Sequence, residues 1–320
     1  MDNSLLNVLK ADELLKLKLR ALYEKHGYRK YSMSRFEEYS LYLENRNFLV
    51  NDAVITFTDL DGRLLALKPD VTLSIVKHSG DGEQRLYYTE NVYRPDRAKR
   101  SFREIQQVGL ERVGKLDKYI IGEVVALAAK SLNVISANSL LEVSHCGFVN
   151  GLLNCVTDNN NVRALLLKLI EEKNVHGIVD VAKSQGFSKE HLAILENVPF
   201  LSGNVDEVLE KAKAFAVCGE MGVALDELAE LKSELAEYDG LCDIKIDLSL
   251  VGADDYYNGV VFCGYIKGLP FRVLSGGRYD ALLKRLGNNN GALGFAIYFD
   301  ELEPLFAVGV DTKQENRREG

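Results

Sequence analysis

Positive charge is in short supply in this sequence: 39 Lys and Arg stand against 47 Asp and Glu, a formal net charge of −8 over 320 residues. A general nucleic-acid binder needs a basic surface to displace counterions from phosphates, so no nucleic-acid partner is expected. Long apolar runs are missing too. None approaches the ~20 residues that span a bilayer, and the start MDNSLLNVLKADELL carries acidic residues early with no apolar signal core. A soluble, unexported, cytoplasmic protein without membrane contact is the expectation. The five cysteines, Cys146, Cys155, Cys218, Cys242 and Cys263, are scattered without a C-x-x-C pair. That argues against a disulfide framework and a structural zinc site.

Familiar catalytic signatures are absent as well. The histidines His26, His78, His145, His176 and His191 show no H-E-x-x-H spacing, and His145-Cys146 lacks the further ligands that a tetrahedral metal needs. No G-x-S-x-G elbow, G-x-G-x-x-G turn or G-x-x-x-x-G-K-[ST] loop occurs. No metal and no cofactor are expected. What remains is ordinary globular composition, 47% hydrophobic and 27% charged, with enough apolar mass for a real core.

At ~150 residues per domain the length suggests about two units, and the composition changes part-way along. Residues 159–238 are rich in Ala, Leu, Glu and Lys with apolar positions three and four apart, which predicts an all-helical insertion. The flanks, 1–158 and 239–310, read as one α+β core domain built on antiparallel sheet. VITFTDLDGRLLALKP predicts a hairpin with Asp61 and Gly62 both at positive φ. RLYYTENVYR and REIQQVGLERV predict two strands joined by a basic loop, and CDIKIDLSLV, YNGVVFCGYI and FRVLSGG predict three more. Leu5, Leu6, Leu9, Leu14, Leu15 and Leu22 predict an amphipathic first helix, DKYIIGEVVALAAKSL a long one, and YDALLKRLG a short one closed by Gly287. Residues 311–320 predict a polar tail.

Polar side chains suited to a small ligand cluster in four segments. In LKPDVT, Asp70 offers a carboxylate for an ammonium group, and Thr72 a hydroxyl on the same side of an extended chain; Asp70 could equally be a turn residue after Pro69. Gln107 and Glu111 lie four apart on a strand, face one way, and can address an amine and an imidazole N–H. A solvated strand face is the alternative. Arg94, Arg97, Lys99, Arg100 and Arg103 occupy a loop suited to phosphate, carboxylate or a partner protein. In SGGRYDALL, Gly276 and Gly277 predict a close turn ahead of a helix beginning near Tyr279.

LKPDVT, RLYYTENVYRPDR with FREIQQVGLE, DDYYNGVVF and SGGRYDALL occur in the order and approximate spacing of the catalytic domain of histidyl-tRNA synthetases. The chain resembles that class II family over most of its flanking sequence. The resemblance implies a class II synthetase-like antiparallel sheet flanked by helices. It also implies that Asp70, Thr72 and Gln107 contact an amino group, Glu111 and Tyr257 contact a histidine ring, and Tyr279 walls the pocket. Arg94 matches the arginine opening the nucleotide motif, with Asp96 its acidic companion.

Departures from the pattern point away from catalysis. Gly252 stands where the synthetase has an arginine ahead of its Asp-Tyr-Tyr, and Tyr298 and Glu301 stand for the glycine and arginine of the third motif. Losing a preorganised cation costs about a hundredfold in rate or more, and a carboxylate facing polyphosphate is repulsive. Ser34 replaces a proline in the first, dimer-forming motif, and about eighteen residues follow GFAIYFDEL, too few for an anticodon-binding domain of ~100 residues. A retained amino-acid pocket with both arginines replaced resembles the synthetase-like regulatory subunits of ATP phosphoribosyltransferase. That resemblance implies a non-catalytic chain that binds histidine through Asp70, Thr72, Arg94, Gln107, Glu111, Tyr257 and Tyr279. It further implies a homodimer within a hetero-oligomer with the short catalytic subunit, activation of that subunit, and a part in feedback inhibition. A divergent amino-acid-activating ligase and a scaffold with a vestigial pocket are the alternatives.

Overall fold

A computed structural model of the chain describes residues 8–45, 54–78, 80, 82–96, 100–252 and 256–306. The chain order is α1 (Ala11–Lys25), β1 (Arg29–Lys30), β2 (Phe36–Glu38), α2 (Tyr39–Glu44), β3 (Thr56–Thr58), β4 (Leu64–Leu67), α3 (Thr72–His78), β5 (Gln84–Asp96) and β6 (Ser101–Gly114). Then come α4 (Lys118–Ile135), β7 (Ser139–His145), α5 (Cys146–Val156), α6 (Asn160–Glu171), α7 (Val175–Gln185), α8 (Lys189–Asn197), β8 (Ser202–Gly203), α9 (Val205–Lys213) and α10 (Gly219–Leu235). The chain continues with β9 (Asp243–Asp247), β10 (Val260–Ile266), β11 (Leu274–Arg278), α11 (Asp280–Arg285) and β12 (Gly291–Tyr298).

Nine strands form one sheet in the order β1-β5-β6-β12-β11-β10-β7-β9-β8, and β2-β4-β3 form a small second one. The fold is α+β, but the large sheet is mixed: β1 runs parallel to β5 and β7 parallel to β9, the other neighbours being antiparallel. The parallel pairs arise where a helix, not a tight turn, returns the chain to the sheet.

One side of the sheet carries the long helices. In α1, Leu15, Leu19 and Tyr23 recur every fourth residue and are buried, and the Tyr23 hydroxyl meets Ser131 of α4 at 3.0 Å. Helix α4 starts where Asp117 accepts from the Ile120 amide at 2.9 Å, and Val124 to Ala129, Ser131 and Leu132 are all buried. Its face is nearly all apolar because α1 and α10 cover what the sheet does not.

Several local expectations need correction. In the β3–β4 hairpin only Gly62 has positive φ, 84°; Asp61 does not, because Asp59 Oδ1 accepts from the amides of Asp61 and Arg63 and shapes the turn instead. Arg94 and Arg103 are not loop residues but cross-strand partners near the end of the β5–β6 hairpin. Residues Arg97 and Lys99, like Leu5, Leu6 and the tail 311–320, lie outside the described residues. The stretch read as all-helical contains β8, whose Ser202 and Gly203 pair with Asp247 and Ile246. Apolar residues of α6 to α10 join the same buried cluster as the sheet and α4.

Candidate functional site

The other side of the sheet, opposite α4, is hollow. A cavity of about 360 Å³ lies over β6, β12, β11 and β10, and Asp70, Thr72, Arg94, Gln107, Glu111, Tyr257 and Tyr279 all line it. Register explains how residues so far apart converge. Glu111 pairs with Gly294, which pairs with Gly277, which pairs with Val261; two rows along the same face, Gln107 pairs with Tyr298. Side chains two apart on a strand share a face, so these rows form one floor.

That floor is lowered by glycine. A Cβ at Gly109 would lie 2.2 Å from the Tyr88 ring, one at Gly294 would lie 1.7 Å from Glu111 Oε2, and one at Gly277 would lie 2.7 Å from the Tyr257 ring. Tyr88, Glu111 and Tyr257 are thus laid flat across neighbouring strands, which only hydrogen at those α-carbons permits. Gly276 and Gly277 therefore do not form a turn: they are strand residues of β11, neither at positive φ, and serve clearance.

Glu111 sits at the bottom, 2% exposed. The Thr72 hydroxyl donates to its Oε1 at 2.8 Å and the Tyr279 hydroxyl to its Oε2 at 2.5 Å. Burial pushes the carboxyl up to about 8; the two hydroxyls pull the other way, and the nearby Asp70 charge adds to the rise. Thr72 is not on extended chain as expected. It opens α3, and Asp70 Oδ1 accepts from the Leu73 amide at 2.9 Å, so Asp70 turns the chain into that helix while facing the cavity. Burial raises the Asp70 carboxyl, opposed by the Arg94 charge and by the amides of Leu73 and Thr72. Arg94 Nε donates to the Pro69 carbonyl at 2.9 Å. Tyr256 stacks on Tyr279, ring centroids 5.6 Å apart, and closes a wall.

Sequence reasoning missed Tyr88, Tyr298, Ser275 and Arg272, which also line the cavity. The Ser275 and Tyr298 hydroxyls meet at 2.7 Å across β11 and β12. Alternation along FRVLSGGR and GFAIYF carried the signal for Ser275 and Tyr298, since every second residue shares the Gly277 and Gly294 face. Among the described residues no group of three His, Cys, Asp or Glu could hold a metal, and no helix is long and apolar enough to cross a membrane. Two carboxylates, an amide and hydroxyls around an aromatic-walled hollow suit a small ligand bearing a cationic amine and a ring N–H donor.

The family pattern described as histidyl-tRNA synthetase matches residues 3–302. The ATP phosphoribosyltransferase regulatory subunit of Caldanaerobacter subterraneus is 32% identical over 306 residues, covering 93% of this chain and 79% of the relative. The chain belongs to the family of ATP phosphoribosyltransferase regulatory subunits, built on a histidyl-tRNA synthetase domain. The subunit of the same name from Clostridium kluyveri is 32% identical over 88% of this chain and 74% of its own length. A solved structure from Bacillus halodurans, described as an ATP phosphoribosyltransferase regulatory subunit/histidyl-tRNA synthetase, superposes with a TM-score of 0.82 at 28% identity, covering 91% of this chain and 77% of that one. The α+β synthetase-like fold read from sequence agrees with these relatives. Members of this family are regulatory subunits of an enzyme, and the chain is one of them and not an enzyme itself.

Within that family, the departures from the synthetase pattern acquire a geometry. Gly252 borders the cavity with φ +69°, and a Cβ there would lie 2.8 Å from the Tyr257 ring. No side chain, least of all an arginine, enters at that position without strain and displacement of Tyr257. At the third motif, Asp300 accepts from the Gln106 amide at 3.1 Å and pairs with Arg103 at 3.5 Å, beside Glu301.

Proposed function

We propose that this regulatory subunit binds L-histidine in the cavity over the sheet, forms a homodimer within a hetero-oligomer with a short catalytic ATP phosphoribosyltransferase subunit, activates that subunit, and transmits feedback inhibition by histidine. The single observation that supports it best is Glu111: a buried acceptor, held by Thr72 and Tyr279, at the base of a cavity with room for an amino acid. Asp70, Thr72 and Gln107 receive the ammonium group, Glu111 the ring N–H, and Tyr257 and Tyr279 flank the ring. Arg94 balances the charge of Asp70.

Names of the relatives support the partner, and the glycine at position 252, where a side chain would be strained, supports a pocket that holds histidine without activating it. A retained pocket regulates if histidine binds one quaternary state more tightly than another. The test is a reconstitution: adding the purified chain to a short catalytic subunit raises phosphoribosyl transfer, histidine lowers it, and Glu111→Ala blunts the inhibition. No association in sedimentation at micromolar concentration with substrates present, or inhibition unaltered in the Glu111 variant, would overturn the reading.

A further inference from the structure

Among the described residues that line the cavity, two are cationic: Arg94 and Arg272. Arg94 is engaged on the Asp70 side, bonded to the Pro69 carbonyl and facing the Asp70 charge. Arg272 comes from the segment joining β10 to β11 and stands at the cavity mouth. Its Nη1 lies 4.0 Å from Cys263 Sγ, and no carboxylate among the described residues forms an ion pair with it. The Tyr298 amide donates to the carbonyl of Val273, the next residue along, at 2.8 Å, and Tyr298 is the cross-strand partner of Gln107, so Arg272 belongs to the Gln107 end of the floor and not to the Glu111 end.

An α-amino acid whose ring meets Glu111 and whose ammonium lies among Asp70, Thr72 and Gln107 carries its carboxylate on the same carbon as that ammonium, away from Glu111 and within reach of the Gln107 end of the floor. Unpaired, that carboxylate would share the mouth with Glu171, which also lines the cavity. It needs a cation, and Gly252 supplies none. We propose that Arg272 receives the α-carboxylate of the bound amino acid and so makes the site select amino acids over the corresponding amines. The guanidinium fork suits a carboxylate in two-point contact. This inference rests on the reading of the cavity as a histidine site.

Calorimetry with L-histidine and with histamine, which keeps the ring and the ammonium but lacks the carboxylate, separates the two readings. The parent chain should prefer histidine. Arg272→Gln should weaken histidine binding by about tenfold or more while leaving histamine binding as in the parent, and Arg272→Lys should restore part of the preference. Unchanged histamine binding also shows that the variant folds. A parent that binds neither ligand overturns the histidine reading and this inference with it. A parent that binds histidine, with Arg272→Gln keeping the parental ratio of histidine to histamine or losing both ligands equally, overturns this inference alone.

Discussion

Tyr279 donates its hydroxyl proton to Glu111 Oε2 at 2.5 Å, joining residues 168 positions apart in the chain at the deepest point of the cavity. The contact fixes one carboxyl oxygen, Thr72 fixes the other, and the remaining lone pairs face the cavity. Glu111→Ala removes the acceptor for the ring N–H and should weaken histidine binding by about 1–3 kcal/mol, roughly tenfold to a hundredfold, as read by calorimetry. Asp70→Ala should weaken it as well. Parental affinity in both variants would show that histidine binds elsewhere.

Stability should depend on pH through the same carboxyl. Its folded value of about 8 lies above the ordinary value of 4.5, so the folded chain holds the proton that the unfolded chain releases. The contribution to stability is whole below about pH 4.5 and declines as pH rises toward 8. Glu111→Gln stays neutral throughout, so the variant should gain stability relative to the parent across that window, by a few kcal/mol at most. Urea unfolding at pH 5 and pH 8 measures the difference, and equal shifts at both would refute it.

Gly294→Ala places a methyl carbon 1.7 Å from Glu111 Oε2 and 2.5 Å from the Leu110 carbonyl oxygen. Glu111 has to leave its place. The expected cost is about 1–3 kcal/mol of overpacking, with histidine binding lost in the same variant. A folded variant that binds histidine as the parent does would mean that Glu111 has no part in the site.

ATP with histidine should yield no histidyl-adenylate, measured as pyrophosphate exchange. Gly252→Arg combined with Glu301→Arg should restore at most a trace, because the first change forces a side chain at φ +69° against Tyr257. Exchange by the parent chain at a synthetase-like rate would make it a ligase.

Most of the floor was legible because it is written in strand alternation. Gln107 and Glu111, four apart on one strand, fix their own directions once the strand is recognised. Thr72 was misplaced because the turn from Asp70 into α3 depends on a capping bond that LKPDVT alone does not announce. Gly276 and Gly277 were misread as turn formers because clearance is a property of chain neighbours in space: Gly277 makes room for Tyr257, which comes from the segment ahead of β10. Arg272 had no motif at all. Its place follows from where β10 ends and β11 begins, which only the folded sheet shows.

The glycine floor makes the empty protein less stable than it could be. Glycine inside a strand gives up side-chain packing and costs about 0.5–1 kcal/mol in chain entropy relative to alanine. Gly109, Gly277 and Gly294 place that burden on three adjoining central strands. Any residue that would relieve it would also collide with Tyr88, Tyr257 or Glu111, so strengthening the sheet and keeping the hollow open are opposed. A ligand held in the hollow would add packing there without closing the site, and would stabilise the folded chain by its own binding free energy.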